Sequence, residues 1–302
     1  MSAQPSIAVV PHRFAYGFYR QTWWNWLIGS AFFFGEIGAG LFLVSLLTDH
    51  ALGMAVGYLI VMLGKNAAHL LYLGRPERFW RAARRPDRSW IARGIWATGI
   101  FGLSGALLLL PRFFSAGWQP AGTFNSVLMW AAGLSALFIM FYDGLVMNVS
   151  AAIPFWNTGL LPVLCLTYAA LGGTTLSLTL RELAEPGPAV PAVLMQTEYL
   201  LLITNLVLLG LYLLQRWGWA PAARETVRML LQGAYARAFL GLVLAVGLIA
   251  TLLLAVVHSS VHATWLVVLI AVSELTGDFT LLMVLLKSGL FSPQTAPAHR
   301  SG

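Results

Sequence analysis

The chain has 302 residues, of which 59% are hydrophobic and only 10% are charged. Soluble domains carry about a quarter charged residues, so this composition excludes an ordinary soluble protein. The net charge of +7 does not indicate nucleic-acid binding, because the arginines fall in short segments between apolar runs, where membrane topology accounts for them.

Apolar runs of about 20 residues, long enough to cross a bilayer, recur along the chain. They are expected to be helices, because an open strand leaves backbone groups unpaired in lipid. The sequence therefore predicts an all-α integral membrane protein, a polytopic bundle of about eight transmembrane helices, with seven as the alternative. The predicted spans are 24–47, 53–71, 95–110 (ended by Pro111), 126–142, 160–180, 192–214, 238–257 and 263–286.

These spans form one predicted transmembrane domain, 24–290, between an N-terminal tail (1–23) and a C-terminal tail (291–302). An even number of spans places both tails on one side of the membrane, here named the near face. Of the 18 lysines and arginines, fifteen fall on the near face and two, Arg112 and Arg181, on the far face. Because cytoplasmic loops carry an excess of basic residues, we expect the near face to be cytoplasmic.

Five ionisable residues fall inside the predicted spans, where a charge costs roughly 2.5–3.5 kcal/mol at a helix centre. Glu274 and Asp278 are four residues apart on one helix face, an arrangement that favours holding a proton on one of the two carboxyls. The group predicts either a proton relay or ion path, or contacts between helices that only fix packing. Its members are Glu36, Lys65, Glu198, Glu274 and Asp278.

Metal and haem binding are not expected in this chain. A transmembrane di-haem cytochrome needs four axial ligands, and His69 alone is predicted inside the bilayer. An iron–sulfur cluster needs about four cysteines, whereas Cys165 is the only one. His258 and His262 are four residues apart beside a far-face turn, but they lack further ligands.

Aromatic and polar residues alternate at the near-face ends of the predicted spans. Tryptophan and tyrosine at this depth fit an interfacial belt. Polar groups among them also suit a flat, amphipathic head group such as a quinone, since Tyr or His can hydrogen-bond a carbonyl and an acid can exchange its proton. The candidates are Trp24, Asn25, His69, Tyr142 and Asp143.

Three short motifs occur in order along the first part of the chain. They are WNW (24–26) with EIGAG (36–40), LGRPERF (73–79) with SW (89–90), and YDG (142–144) with Pro154 and Trp156. These motifs resemble those of the NrfD/PsrC family, the membrane subunits of polysulfide reductase, nitrite reductase and related molybdoenzyme complexes. The resemblance is clearest over residues 20–180.

The resemblance implies a definite role in the bacterial inner membrane. Family members carry no haem or iron–sulfur cluster of their own, and they bind ubiquinone or menaquinone beside an iron–sulfur subunit of the four-cluster, ferredoxin-like kind. That partner often carries a molybdopterin catalytic subunit. By position, Tyr142 is similar to the tyrosine that contacts the quinone. We therefore expect electron exchange between quinone and an iron–sulfur partner, with a proton or ion transporter and a passive membrane anchor as alternatives.

The arginine-rich loop on the near face has two interpretations. Its cations could hold the loop on lipid head groups, or they could dock an acidic iron–sulfur partner, because complementary charge steers encounter and sets register. We favour docking, since the resemblance implies such a partner on this face. The residues are Arg75, Arg78, Arg81, Arg84, Arg85 and Arg88.

Overall fold

The computed structural model describes residues 18–114, 118–184 and 191–292. Within them, eight helices are long and apolar enough to cross a membrane, which confirms the predicted number of spans. A ninth, shorter helix, α7, lies between the sixth and seventh spans. The helices are α1 (Trp26–Leu47), α2 (Ala51–Tyr72), α3 (Trp90–Phe113), α4 (Gly122–Asn148), α5 (Leu160–Ala184), α6 (Ala192–Trp219), α7 (Pro221–Leu231), α8 (Arg237–Val261) and α9 (Thr264–Lys287).

The helices differ from the predicted spans mainly at their ends. α3 begins five residues before the predicted start, because the Ser89 side chain accepts a hydrogen bond from the Ala92 backbone N–H and caps the helix. It also continues past Pro111 to Phe113, so the predicted stop at this proline was wrong. A proline removes only one backbone donor, and membrane helices tolerate that loss.

Two spans contain wider, π-helical turns, which hydropathy does not reveal. They are Ile60–Lys65 within α2 and Arg237–Ala250 within α8. Such turns are frequent at functional sites, and the first of them ends at Lys65. A short 3-10 helix, Pro76–Arg84, carries the arginine-rich loop between α2 and α3.

Helix α1 is the centre of the bundle and packs against α2, α4, α5 and α9. Glycines allow its closest approach to α5, where a side chain on Gly40 would meet the backbone of Ala169, and one on Gly173 would meet Gly40 itself. Small residues at such crossings let membrane helices pack backbone to backbone. This close packing leaves α1 largely buried along its length.

The near-face ends of the first and last spans are joined by a two-stranded antiparallel sheet. Strand β1 (Tyr19–Arg20) pairs with β2 (Leu290–Phe291), and the rings of Tyr19 and Phe291 stack with centroids 4.7 Å apart. The buried Gln21 amide donates a 2.7 Å hydrogen bond to the Leu286 carbonyl. The pairing brings both ends of the bundle to one side, as an even number of spans requires. The tail residues 1–17 and 293–302 lie outside the described residues.

The far face is held by its two arginines. Arg181 donates to the Thr48 backbone carbonyl at 3.1 Å and to the Thr48 hydroxyl at 2.9 Å. Arg112 lies 3.4 Å from the Asp49 carboxylate. Both contacts fasten other helices to the turn between α1 and α2, so these two cations have structural partners on the less basic face.

Candidate functional site

The near-face cluster begins with three aromatic side chains. Trp24 stacks on Trp156 with centroids 5.3 Å apart, and meets Phe32 edge-on at 5.9 Å. Trp156 is fixed by its indole N–H, which donates to the Leu285 carbonyl at 2.8 Å. Trp24 is half-buried, so one part of this platform faces outward beside the start of α1.

His69 lies next to this platform, on the last turns of α2. Its ring centroid is 6.3 Å from that of Phe32, and its Nδ1 is 3.0 Å from the Lys65 backbone carbonyl. A carbonyl oxygen can only accept, so Nδ1 carries the hydrogen. In the neutral ring, Nε2 is then an acceptor. The half-buried His69 therefore presents a proton-accepting nitrogen near the platform.

Lys65, Tyr142 and Asp143 form the inner part of the cluster. The Lys65 ammonium lies 5.5 Å from the centroid of the Tyr142 ring and within electrostatic range of Asp143. Gly94 of α3 lies directly against the Tyr142 ring, where a larger residue would collide with it. All three side chains are buried, so a cation, a phenol and a carboxyl meet away from bulk water.

Four of the five predicted quinone-site residues, Trp24, His69, Tyr142 and Asp143, thus belong to one chain of neighbours that passes through Phe32 and Lys65. The fifth, Asn25, is exposed, and its side-chain oxygen accepts a 2.9 Å hydrogen bond from the Leu27 backbone N–H. That bond makes it the N-cap of α1. Asn25 therefore has a structural task at the edge of the cluster.

The loop that carries Trp156 is held from α6. The fully buried Tyr212 hydroxyl donates to the Phe155 carbonyl at 2.7 Å. Arg216 is also buried and donates to the carbonyls of Pro154 and Asn157 at 2.9 and 3.0 Å. Sequence reasoning did not identify Tyr212 and Arg216 as supports, because their partners are backbone atoms of a distant loop.

A second cluster of acids lies deeper in the bundle, around Glu36 of α1. Glu36 is within electrostatic range of Asp143 on α4 and of Asp278 on α9. A small cavity beside it is lined by Cys165, Tyr168 and Asp278, with leucines of α5 and α9. The space open to a water centre there is about 10 Å³, the lower limit for a single water molecule.

The acids continue toward the far face. Glu274 lies within electrostatic range of both Asp278 and Glu198. Glu198 accepts a 2.9 Å hydrogen bond from the Thr175 hydroxyl. With these contacts the structure brings four of the five predicted relay residues, Glu36, Asp278, Glu274 and Glu198, into one series, while Lys65 belongs to the near-face cluster.

The series ends at a far-face pair that sequence analysis missed. His258 Nε2 lies 3.3 Å from Glu182 Oε1. Both residues line a cavity with Glu198 and Thr175, in which about 20 Å³ is open to a water centre. The sequence offered part of the signal, because Glu182 and His258 lie just beyond the far-face ends of two predicted spans. Their pairing depends on how α5 and α8 pack.

The six loop arginines are exposed on the near face, on and beside the 3-10 helix. Arg84 stacks over the Trp80 ring at 4.2 Å, and Arg88 lies 3.3 Å from Asp87. Arg93 fastens the end of the loop by donating to the Pro86 and Asp87 carbonyls. These contacts hold the loop in a defined conformation, and its exposed arginines make its surface positively charged.

A family model described as polysulphide reductase, NrfD matches residues 16–293, nearly the whole chain. The match extends well beyond the 20–180 region in which the motif resemblance is clearest. No curated protein matches the chain. Across the described residues, no group of three or more His, Cys, Asp or Glu side chains is arranged to hold a metal ion.

Proposed function

This chain belongs to the family described as polysulphide reductase, NrfD, and on that premise we propose that it is the quinone-reactive membrane subunit of an oxidoreductase complex. A multi-pass membrane protein of this family is consistent with an anchor of such complexes. In this proposal electrons pass between a membrane quinone and the clusters of an iron–sulfur partner, which in turn carries a molybdopterin catalytic subunit.

The near-face cluster is the observation that carries the proposal. Trp24 and Phe32 offer apolar ring surface, and His69 offers a polar atom beside it. A quinone head group needs this combination of flat apolar walls and a few oriented polar groups. Because Nδ1 of His69 is committed to the Lys65 carbonyl, Nε2 is suited to accept a hydrogen bond, which matches the hydroxyl of a quinol.

Each residue of the near-face cluster has a role in this arrangement. A quinone, when bound, supplies the two-electron chemistry that the chain's own side chains lack. His69 would accept a proton at Nε2, and Trp24 with Phe32 would orient the head group. Lys65 places its amine nitrogen beside the ring of Tyr142, and Asp143 offers a second position for a proton.

The arginine-rich loop is the proposed docking surface for the iron–sulfur partner. Its six arginines face outward on the same membrane face as the cluster. An acidic partner bound to this loop would bring its iron–sulfur cluster close to the quinone site, as direct electron transfer requires. The surplus of basic residues on this face supports a cytoplasmic orientation in a bacterial inner membrane.

The test is purification of the tagged chain in mild detergent from its natural host, followed by mass spectrometry and iron analysis. The expected result is an iron–sulfur protein and a quinone in stoichiometric amounts, with turnover that quinone-site inhibitors block. A complex that carries the iron–sulfur partner but neither binds nor uses quinone would support a passive anchor instead. Recovery of the chain alone, without iron or quinone, would refute the proposal.

A further inference from the structure

Four acids in the middle of the bundle are the most unusual feature of its interior. Glu36 and Asp143 are 0% exposed, and Glu274 and Asp278 are 1% exposed. Among the described residues, no carboxyl oxygen of the four has a hydrogen-bond partner of ordinary geometry, and the thiol of Cys165 beside Glu36 is only a weak donor. Contacts that merely fix packing would satisfy these oxygens, because a buried polar group without a partner is costly.

The order of the acids follows the membrane normal. Asp143 is five residues from the near-face end of α4, and Glu36 is near the middle of α1. Asp278 is nine residues from the near-face end of α9, at a depth similar to that of Glu36, and Glu274 is one turn closer to the far face, or about 6 Å at the helical rise. Glu198 follows, six residues into α6 from its far-face end.

Neighbouring members of this order interact. Glu36 is within electrostatic range of Asp143 and Asp278, and Glu274 is within range of Asp278 and Glu198. The buried Tyr168 lies within electrostatic range of both Asp278 and Glu274, so a hydroxyl lies near this step. The cavity beside Glu36 and Asp278 has room for about one water.

At its far-face end, the series of acids approaches the protein surface. Glu198 and the Glu182–His258 pair line one cavity. Its space of about 20 Å³ open to a water centre can hold at least one water molecule. The Thr175 hydroxyl donates to Glu198 from the same wall. Two carboxyls, a threonine hydroxyl and a histidine thus lie between the buried acids and the far face.

From these contacts we propose that the acids form a proton-conducting path from Asp143 to a far-face exit at Glu182 and His258. A proton enters at the Lys65–Asp143 pair and moves through Glu36, Asp278 and Glu274 to Glu198. Each step breaks the bond between the proton and its donor atom, an O–H bond at a carboxyl or a water and an N–H bond at Lys65 or His258, and forms the corresponding bond on the next acceptor. Every residue therefore regains its starting protonation after the next transfer.

The path selects protons by its dimensions. A metal cation needs about six oxygen ligands around it, whereas the cavity at Glu36 and Asp278 has room for about one water and is lined in part by Leu281, Leu282 and Leu285. The proposal does not depend on quinone binding, since the path is complete within this chain.

The test uses the purified full-length chain in liposomes that contain a pH-sensitive dye. A potassium gradient with valinomycin imposes a membrane potential, and the dye reports proton entry. The wild-type chain is expected to conduct protons faster than protein-free liposomes. Glu274→Gln and Asp278→Asn should slow this flux by about a hundredfold, the low end of what a positioned proton-transfer group contributes. Glu225→Gln, on near-face α7, is the matched control and should leave it unchanged.

Thr175→Val and His258→Gln provide a second pair of variants, which leave the buried acids in place and should also slow the flux. Size-exclusion elution and the thermal midpoint of every variant establish that it is folded. A wild-type flux no faster than in protein-free liposomes would overturn the proposal. Equal proton flux in Glu274→Gln and Glu225→Gln would also overturn the proposal. The same holds if the buffer contains sodium and the flux disappears when that sodium is replaced by a large organic cation. Because these liposomes contain no quinone and no partner protein, the result is separate from the test of the proposed function.

Discussion

The ring of Tyr142 occupies the space that a side chain at position 94 would fill, so Gly94 and Tyr142 are a packed pair across α3 and α4. Only a glycine permits this approach. The phenol that the family motif provides is therefore positioned by a residue outside that motif, on the span that follows the arginine-rich loop.

Gly94→Ala is expected to displace the Tyr142 ring. Overpacking of this kind costs about 1–3 kcal/mol, and in the complex it should also lower quinone-linked turnover. The matched control is Gly99→Ala on the same helix, where an added Cβ would have no atom of the described residues within 4 Å beyond its own helix backbone and chain neighbours. A change within about 0.5 kcal/mol is expected there. Thermal unfolding in detergent and turnover of the complex measure both effects. Equal behaviour of the two variants would contradict the packed pair.

His69→Gln removes the proton-accepting Nε2 while retaining a polar side chain. If His69 accepts a proton from the quinol, turnover with quinol should fall on the order of a hundredfold. Tyr142→Phe should also lower turnover. Its control is Tyr58→Phe in the far half of α2, whose hydroxyl donates to the Gly102 carbonyl, away from the near-face cluster. Unchanged turnover in His69→Gln would show that His69 has no part in quinone chemistry.

Arg216→Met is expected to release the loop that carries Trp156. The substitution leaves the Pro154 and Asn157 carbonyls without their donor, which should cost about 2 kcal/mol or more. Arg224→Met is the comparison, because Arg224 is exposed and, among the described residues, donates one hydrogen bond, to the Trp217 carbonyl. Its cost should stay near 0.5 kcal/mol. Detergent-resistance or thermal unfolding assays can separate these values, and a similar cost for both arginines would argue against the support role.

Reversing charge in the arginine-rich loop tests the proposed docking surface. Arg75→Glu combined with Arg85→Glu should reduce the association rate of the iron–sulfur partner by about tenfold at low salt and flatten its salt dependence. Arg224→Glu with Arg228→Glu, on α7 of the same face, is the matched control. Binding kinetics of the reconstituted complex decide between them. An equal effect of both pairs would point to general charge attraction without a specific surface.

Hydropathy and charge were sufficient to predict the spans, their number and their arrangement about one face. The spans and their number could be predicted because the bilayer imposes a minimum length and an apolar composition on every crossing segment. The intramembrane acids were identified for the same reason, since a residue such as Glu274 is conspicuous in an apolar run.

The contacts inside the bundle could not be predicted in this way. Lipid-facing and buried side chains are both apolar, so the sequence does not show which face of a helix turns inward. The Glu182–His258 pair, the π-helical turn that ends at Lys65 and the capping role of Asn25 all depend on rotation and local geometry. The described structure supplies these, and with them the order of the acids.

The strand pair β1–β2 has a consequence for assembly in time. Tyr19 and Arg20 are made before any span, whereas their partners Leu290 and Phe291 are made after all eight. The first span is therefore inserted while β1 still lacks its partner strand, and β1 remains unpaired until the last span has been made. The strand pair can therefore form only after the last span has been made, and it joins the two ends of the bundle at the edge of the face proposed for its partner.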